Sequence, residues 1–204
     1  RFALLADNNC GWALTDLALH QAGLLNVPLP GYFTPEQQQH IIADAGIDSL
    51  LTDQPEHASQ LAADFVAAGI SPQTGLHLYR RRGAAPPRPT PPGTIKITYT
   101  SGSTAAPKGV CLSAPSLEAV ATSLAGATAD LGLTRHLCLL PLATLLENVG
   151  GIHAALRSGA SCIIPSLTTT GMSYGGLDAR KLIATITAHE PSSLILVPEL
   201  LRVL

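Results

Sequence analysis

The sequence predicts an α/β fold, with mainly parallel sheets and covering helices. Short apolar runs alternate with longer segments whose apolar residues recur at helical spacing. Gly or Pro punctuates most of the junctions between them. That alternation suits parallel strands whose chain returns through helices packed on the sheet. At 204 residues and 46% hydrophobic content, the chain can bury a substantial core.

In order, "FALLA" (2–6) reads as a buried strand, and residues 12–22 as a helix with Leu14, Leu17 and Ala18 on one face and Gly23 as its stop. "NVPLP" is a short extended piece. Residues 35–45 read as a second helix ended by Gly46, and "SLLT" (49–52) as a strand. Residues 55–68 read as a third helix with Leu61, Ala62 and Phe65 inward, followed by a strand at "GLHLY" (75–79). Then "RRRGAAPPRPTPPG" (80–93) brings five prolines, two glycines and four arginines, the composition of a surface linker. The expected organisation is therefore a first α/β subdomain at 1–79, a Pro/Arg-rich linker at 80–93 and a second α/β subdomain at 94–204 that is incomplete at its end.

Beyond the linker, "TIKITYT" places Ile95, Ile97 and Tyr99 on one face of a strand. Residues 113–127 read as a helix, "HLCLLP" (136–141) as a strand, 145–157 as a helix and "ASCIIP" (160–165) as a strand. "SLTTTGMSYGG" is a loop. Asp178 is a fitting N-cap for a helix carrying Leu182, Ile183 and Ile186, with Pro191 beyond its end. "SLILVP" (193–198) is a strand, and "ELLRVL" begins a helix. A start without Met and this unfinished helix point to a piece of a longer protein.

Composition excludes several classes. The net charge of −2 and the 4% aromatic content give no basis for binding nucleic acid. No apolar run reaches the length of a membrane span. Charged residues are only 13% of the chain, which fits either a thinly charged small domain or a surface covered by further protein. Cys10, Cys111, Cys138 and Cys162 have no metal-ligand spacing and read as free thiols of a reducing compartment, the cytoplasm, with a disulfide between two of them as the alternative. No metal ligands are expected. GxSxG and HExxH are absent, and no Ser/His/Asp set is readable. Glu147 reads as an ordinary polar position near a helix start, with a place facing the nucleotide or acyl region as the alternative; His153 reads as a packed or surface histidine rather than a base, and Trp12 as core. No residue is assigned a catalytic role.

The chemistry lies in "ITYTSGSTAAPKGV" (97–110). Thr100, Ser101, Ser103 and Thr104 offer hydroxyls, Gly102 and Gly109 allow the backbone to approach a ligand, and Lys108 supplies a mobile positive charge. Hydroxyls, backbone N–H groups and one lysine are what a polyphosphate needs. On composition alone a Ser/Thr-rich surface turn remains the alternative. The spacing is not that of the GxxxxGK[ST] phosphate loop or of a GxGxxG turn.

"YTSGSTAAPKGV" resembles the phosphate-loop signature of the adenylate-forming superfamily, Tyr/Phe-Thr-Ser-Gly-Ser/Thr-Thr-Gly-x-Pro-Lys-Gly-Val. That superfamily contains acyl- and aryl-CoA synthetases, nonribosomal peptide adenylation domains and luciferases. The resemblance covers nearly the whole chain: residues 2–52 are similar to the family's opening, and "LLPLATLLENVGGIHAALRSGASCIIP" to its Leu-Pro-Leu-x-His region. "PLATLLEN" is most similar to the long-chain acyl-CoA synthetase branch. Two positions depart from the pattern: Ala105, where Gly or Ser is usual, and Thr144, where many relatives carry His.

The resemblance implies the N-terminal portion of an acyl-CoA synthetase/luciferase-like large domain. It also implies Mg·ATP, a small carboxylic acid and CoA as reactants, giving acyl-AMP and then a thioester, most similar to fatty acyl-CoA synthesis. Thr100, Ser101, Gly102, Ser103, Thr104, Lys108 and Gly109 would hold the β- and γ-phosphates. The residues that hold Mg²⁺, the ribose-binding Asp and the catalytic-lysine domain would lie in the missing C-terminal part of the same enzyme, so the chain alone is expected to be inactive. The alternatives are a non-catalytic nucleotide-binding relative and an amino-acid or aryl adenylation domain.

Overall fold

A computed structural model of the chain describes residues 1–83, 89–100, 106–173 and 176–202. These form two compact units: Arg1–Ala6 with Cys10–Ala114, and Asp7–Asn9 with Pro115–Leu204.

The first unit is built on a seven-stranded sheet. Its strands are β1 (Phe2–Leu5), β2 (Asn26–Pro28), β3 (Ser49–Thr52), β4 (Phe65–Ile70), β5 (His77–Arg81), β6 (Thr94–Thr100) and β7 (Lys108–Ser113). They lie in the order β4-β5-β3-β1-β2-β6-β7. The central four, β3-β1-β2-β6, are parallel. An antiparallel pair closes each end: β4 and β5 beside β3, and β7 beside β6. Helices α1 (Cys10–Gln21), α2 (Pro35–Asp44) and α3 (Pro55–Leu61) supply the crossovers. Every residue of β2 and β3 is buried, as expected for strands covered on both faces.

On one face Ile41, Ile42, Ala58 and Leu61 of the helices pack with Ala3, Val27, Leu50, Ile97 and Tyr99 of the strands. Helix α2 starts at a capping box, in which Gln37 N–H donates to Thr34 Oγ1 and Thr34 N–H donates to Gln37 Oε1.

The opposite face of β6 holds a buried charge. Lys96, between the core residues Ile95 and Ile97, sends its ammonium to Asp16 of α1 at 2.7 Å, with both side chains at most 2% exposed. Asn26 Nδ2 donates to the same carboxylate at 2.7 Å. This pair reorients α1 relative to expectation. Its buried residues are Gly11, Trp12, Ala13, Thr15, Asp16 and Leu19, while Leu14 is half-exposed and Ala18 exposed. Gly23 ends the helix at φ +65°.

In this first unit two strands are additions to the expected pattern. The third helix stops at Leu61, and residues 65–70 form β4. Phe65 turns into the core while residues 67–70 lie exposed along the sheet edge. Helical propensity favours this Ala-rich stretch as helix, but pairing with β5 overrides it. Arg81 ties the pair together through an ion pair to Asp64 at 3.1 Å and a stack 5.5 Å over the Phe65 ring. Arg80 and Arg81 thus belong to β5 rather than to a linker.

The second addition, β7, changes the division of the chain. Because β7 pairs with β6 and so extends the first sheet, the boundary falls between Ala114 and Pro115 and not at 80–93.

The second unit carries a parallel three-stranded sheet in the order β12-β8-β9, from β8 (Arg135–Leu137), β9 (Ser161–Ile163) and β12 (Ser193–Leu194). Part of the segment expected as a loop is instead paired: β10 (Met172–Ser173) lies antiparallel to β11 (Gly176–Leu177). The helices are α4 (Ala114–Ala127), a π-helical segment (Leu146–His153) continuing into α5 (Ala154–Arg157), α6 (Ala179–His189) and α7 (Pro198–Leu201). Asp178 caps α6, accepting from the N–H groups of Arg180 and Lys181. Leu182 is fully buried and Ile186 packs on the same cluster, but Ile183 is 45% exposed. The expected strand 136–141 is shorter because the amides of Leu139 and Leu140 bond to a side chain, and the expected strand 193–198 is reduced to Ser193–Leu194, with Pro198 opening α7.

All four cysteines are free thiols. Among the described residues no helix is long and apolar enough to cross a membrane.

Candidate functional site

The expected phosphate loop is the connection of the β6–β7 hairpin. Thr100 pairs with Lys108 at its loop end, and Tyr99 with Gly109 one step inward. Ser101, Gly102, Ser103, Thr104 and Ala105 lie outside the described residues. Thr100 and Lys108 are both exposed, so a hydroxyl and an ammonium flank the Ser/Gly/Thr run.

Tyr99 explains the glycine. Its hydroxyl donates to Asp44 Oδ2 at 2.7 Å, which anchors it to the end of α2. A Cβ added at Gly109 would lie 3.0 Å from Tyr99 Cζ and 2.9 Å from Ile97 Cγ2. Only a residue without a side chain sits over that ring at this spacing. The core therefore fixes β7 against β6 and sets the start of the loop. The exposed hydroxyl and cation suit a polyphosphate: Lys108 can meet its charge, and Thr100 can donate to its oxygens.

The second unit holds the Leu-Leu-Pro-Leu segment, residues 139–142, which is braced from two sides. Asn8 Nδ2 donates to Leu140 O at 2.8 Å, and Leu142 N–H donates to Asn8 Oδ1 at 2.9 Å. Glu147 is fully buried, which corrects its reading as an ordinary polar position. Its Oε2 accepts from Leu139 N–H at 3.3 Å and Leu140 N–H at 2.9 Å. Its Oε1 lies 2.8 Å from His136 Nε2, and His136 Nδ1 lies 3.0 Å from Ser193 Oγ. The structure thus joins a serine, a histidine and a carboxylate that sequence spacing does not connect. Thr144 folds back locally, with its N–H and hydroxyl both donating to Pro141 O. His153 is half-buried, and Trp12 is core as expected.

Beside this network lies a cavity of about 270 Å³, walled by Leu124, Leu146, Gly150, Ala154 and Ile195, with His136 and Ser193 as polar groups on its lining. It offers an apolar space with a hydrogen-bonding patch, the usual character of a small-molecule pocket.

Sequence reasoning missed Lys96, Asp16, Asn8 and His136. For Lys96 a signal existed: a charged residue midway along a strand whose neighbours are all apolar or β-branched. For the others none was readable, since their partners are distant in sequence.

Comparison with known proteins matches the AMP-binding enzyme family over residues 1–204. A synthetase from Dothideomycetidae sp. (strain 11243), FR901469 synthetase, is 30% identical over 161 residues, 77% of this chain and 1% of that protein. A feruloyl-CoA synthase from Amycolatopsis sp. is 36% identical over 115 residues, 55% of this chain and 23% of the relative. The chain therefore spans under a quarter of the length of either relative. Among solved structures, a long-chain-fatty-acid-CoA ligase from Archaeoglobus fulgidus superposes with a TM-score of 0.72 at 20% identity, covering 100% of this chain and 41% of that one. At that identity the superposition shows the shared fold.

Proposed function

The chain belongs to the AMP-binding enzyme family, and from that premise we propose that it is the phosphate-holding part of a ligase that activates a carboxylic acid as its adenylate. The carrying observation is the β6–β7 hairpin, whose strand ends set exposed Thr100 and Lys108 on either side of the Ser-Gly-Ser-Thr run. In this reading Thr100, Ser101, Gly102, Ser103, Thr104, Lys108 and Gly109 bind the β- and γ-phosphates. Lys108 balances the charge that departs as pyrophosphate, an electrostatic role requiring positioned donors and no covalent step. ATP supplies the leaving group and, with Mg²⁺, the electrophilic α-phosphorus; CoA supplies the accepting thiol. The four free thiols suit a reducing compartment, the cytoplasm.

The apolar cavity beside Leu146 and Ile195 is the candidate space for the carbon skeleton of the acid. Its lining, together with the "PLATLLEN" segment, favours a fatty acid and hence acyl-CoA synthesis. A second reading, an aryl or amino acid, is favoured by the feruloyl-CoA synthase and by a nonribosomal peptide synthetase from Aspergillus terreus that is 27% identical over 90% of this chain.

The test is carboxylate-dependent ATP–pyrophosphate exchange by the full natural chain containing this sequence, across fatty, aryl and amino acids. Exchange with medium or long fatty acids is the expected result. Exchange confined to aryl or amino acids selects the second reading. Folded protein that exchanges with none of them overturns adenylation.

A further inference from the structure

We propose that His136, Cys138 and Glu147 form a binding site for one zinc-class divalent cation, independent of the adenylation reading. Three different ligand-bearing side chains converge here inside the second unit. His136 and Cys138 are two residues apart on and just beyond β8, so extended backbone points both the same way. Glu147 arrives from the first turn of the π-helical segment. None of the three is more than 3% exposed, and one ligand atom from each lies within 4.8 Å of the others.

The surroundings orient the set. Ser193 Oγ holds His136 Nδ1 at 3.0 Å, which turns Nε2 toward Glu147. The amides of Leu139 and Leu140 hold Glu147 Oε2, which turns Oε1 toward His136. Outer partners of this kind fix the rings and carboxylates of metal sites. Bonds of about 2.0–2.3 Å would set the ligand atoms roughly 3.3–3.8 Å apart, so the 2.8 Å Nε2–Oε1 contact opens slightly and the longest separation closes.

Charge favours occupation by a divalent ion. One thiolate and one carboxylate balance M²⁺, leaving a neutral cluster where burial penalises net charge. On binding, the Cys138 thiol loses its proton to solvent. The imidazole carries its remaining proton on Nδ1, and the Ser193 hydroxyl accepts from it. A mixed N/S/O set selects zinc and its neighbours over magnesium or calcium, which take oxygen. Three protein ligands leave one tetrahedral position for a further donor. His136 and Ser193 also line the 270 Å³ cavity, which gives an ion a route to the ligands.

The test uses the full natural chain, purified without chelator. Metal analysis should find about one zinc per chain, removable by a strong chelator. Cobalt added to the stripped protein should give a thiolate-to-cobalt charge-transfer band that saturates at one equivalent. That band should vanish in Cys138→Ser and persist in Cys111→Ser, whose thiol is exposed. Glu147→Gln should weaken cobalt binding at least ~10-fold. If either site variant fails to fold, zinc should still raise the melting temperature of the stripped wild-type protein. Folded wild-type protein that retains no zinc and shows no cobalt band would mean that the three residues form only a hydrogen-bonded cluster. A band unchanged by Cys138→Ser would mean that the metal binds elsewhere. Either result overturns the proposal.

Discussion

Lys96 and Lys108 stand on the two strands of one hairpin and face opposite environments. Lys96 is sealed under α1 with its charge spent on Asp16, whereas Lys108 is exposed at the hairpin's loop end. The inner lysine is structural: its desolvation is tolerable only because the Asp16 carboxylate meets it, a carboxylate that the Asn26 amide also holds. The outer lysine keeps its charge available, at the cost of contributing little to folding. One hairpin thus separates the work of holding the sheet from the work of meeting a ligand. The separation depends on where along the strand each cation falls.

The contrast breaks most severely at the buried end. Lys96→Met strands the Asp16 carboxylate, and a loss of about 3–5 kcal/mol is expected in denaturant unfolding of the full chain. Adding Asp16→Asn should restore most of that loss, because the uncompensated charge is then gone.

At the exposed end, Lys108→Ala should lower ATP–pyrophosphate exchange by about 10²-fold or more. Its unfolding free energy should stay within about 0.5 kcal/mol of the parent. Between the two lies Gly109→Ala, which presses a methyl against Tyr99 and Ile97 and should cost about 1–3 kcal/mol by the same unfolding measurement. The mildest change, Asp178→Ala, removes the cap of α6 in the other unit. About 1 kcal/mol of stability should go, with exchange by the surviving folded protein unchanged.

The hairpin also shows what a sequence makes legible. The alternation in "TIKITYT" is local, and Ile95, Ile97 and Tyr99 are buried as that alternation requires. The Ser/Gly/Thr run with its lysine is likewise local and specific. The strand that completes the hairpin was not legible, because "KGVCLS" is nearly all exposed and carries no alternation to read. Residues 65–70 failed for a related reason: an Ala-rich edge strand satisfies helical spacing until its partner is known. The buried polar groups were hidden more deeply. Asp16 looks like any polar helix residue until Lys96, 80 positions away, is brought against it. Glu147 likewise becomes distinctive only when a π-helical turn folds it under Leu139 and Leu140. Periodicity and motifs are properties of neighbours in sequence, whereas the pairing of buried charge is a property of the finished fold.

The most direct measurement is Mg·ATP binding by calorimetry on the full natural chain, wild type against Lys108→Ala, with denaturant unfolding of both proteins in parallel. The expected result is a clear loss of nucleotide affinity in the variant with an unchanged unfolding midpoint. Equal affinity in two equally stable proteins would contradict the assignment of the hairpin end as the phosphate site.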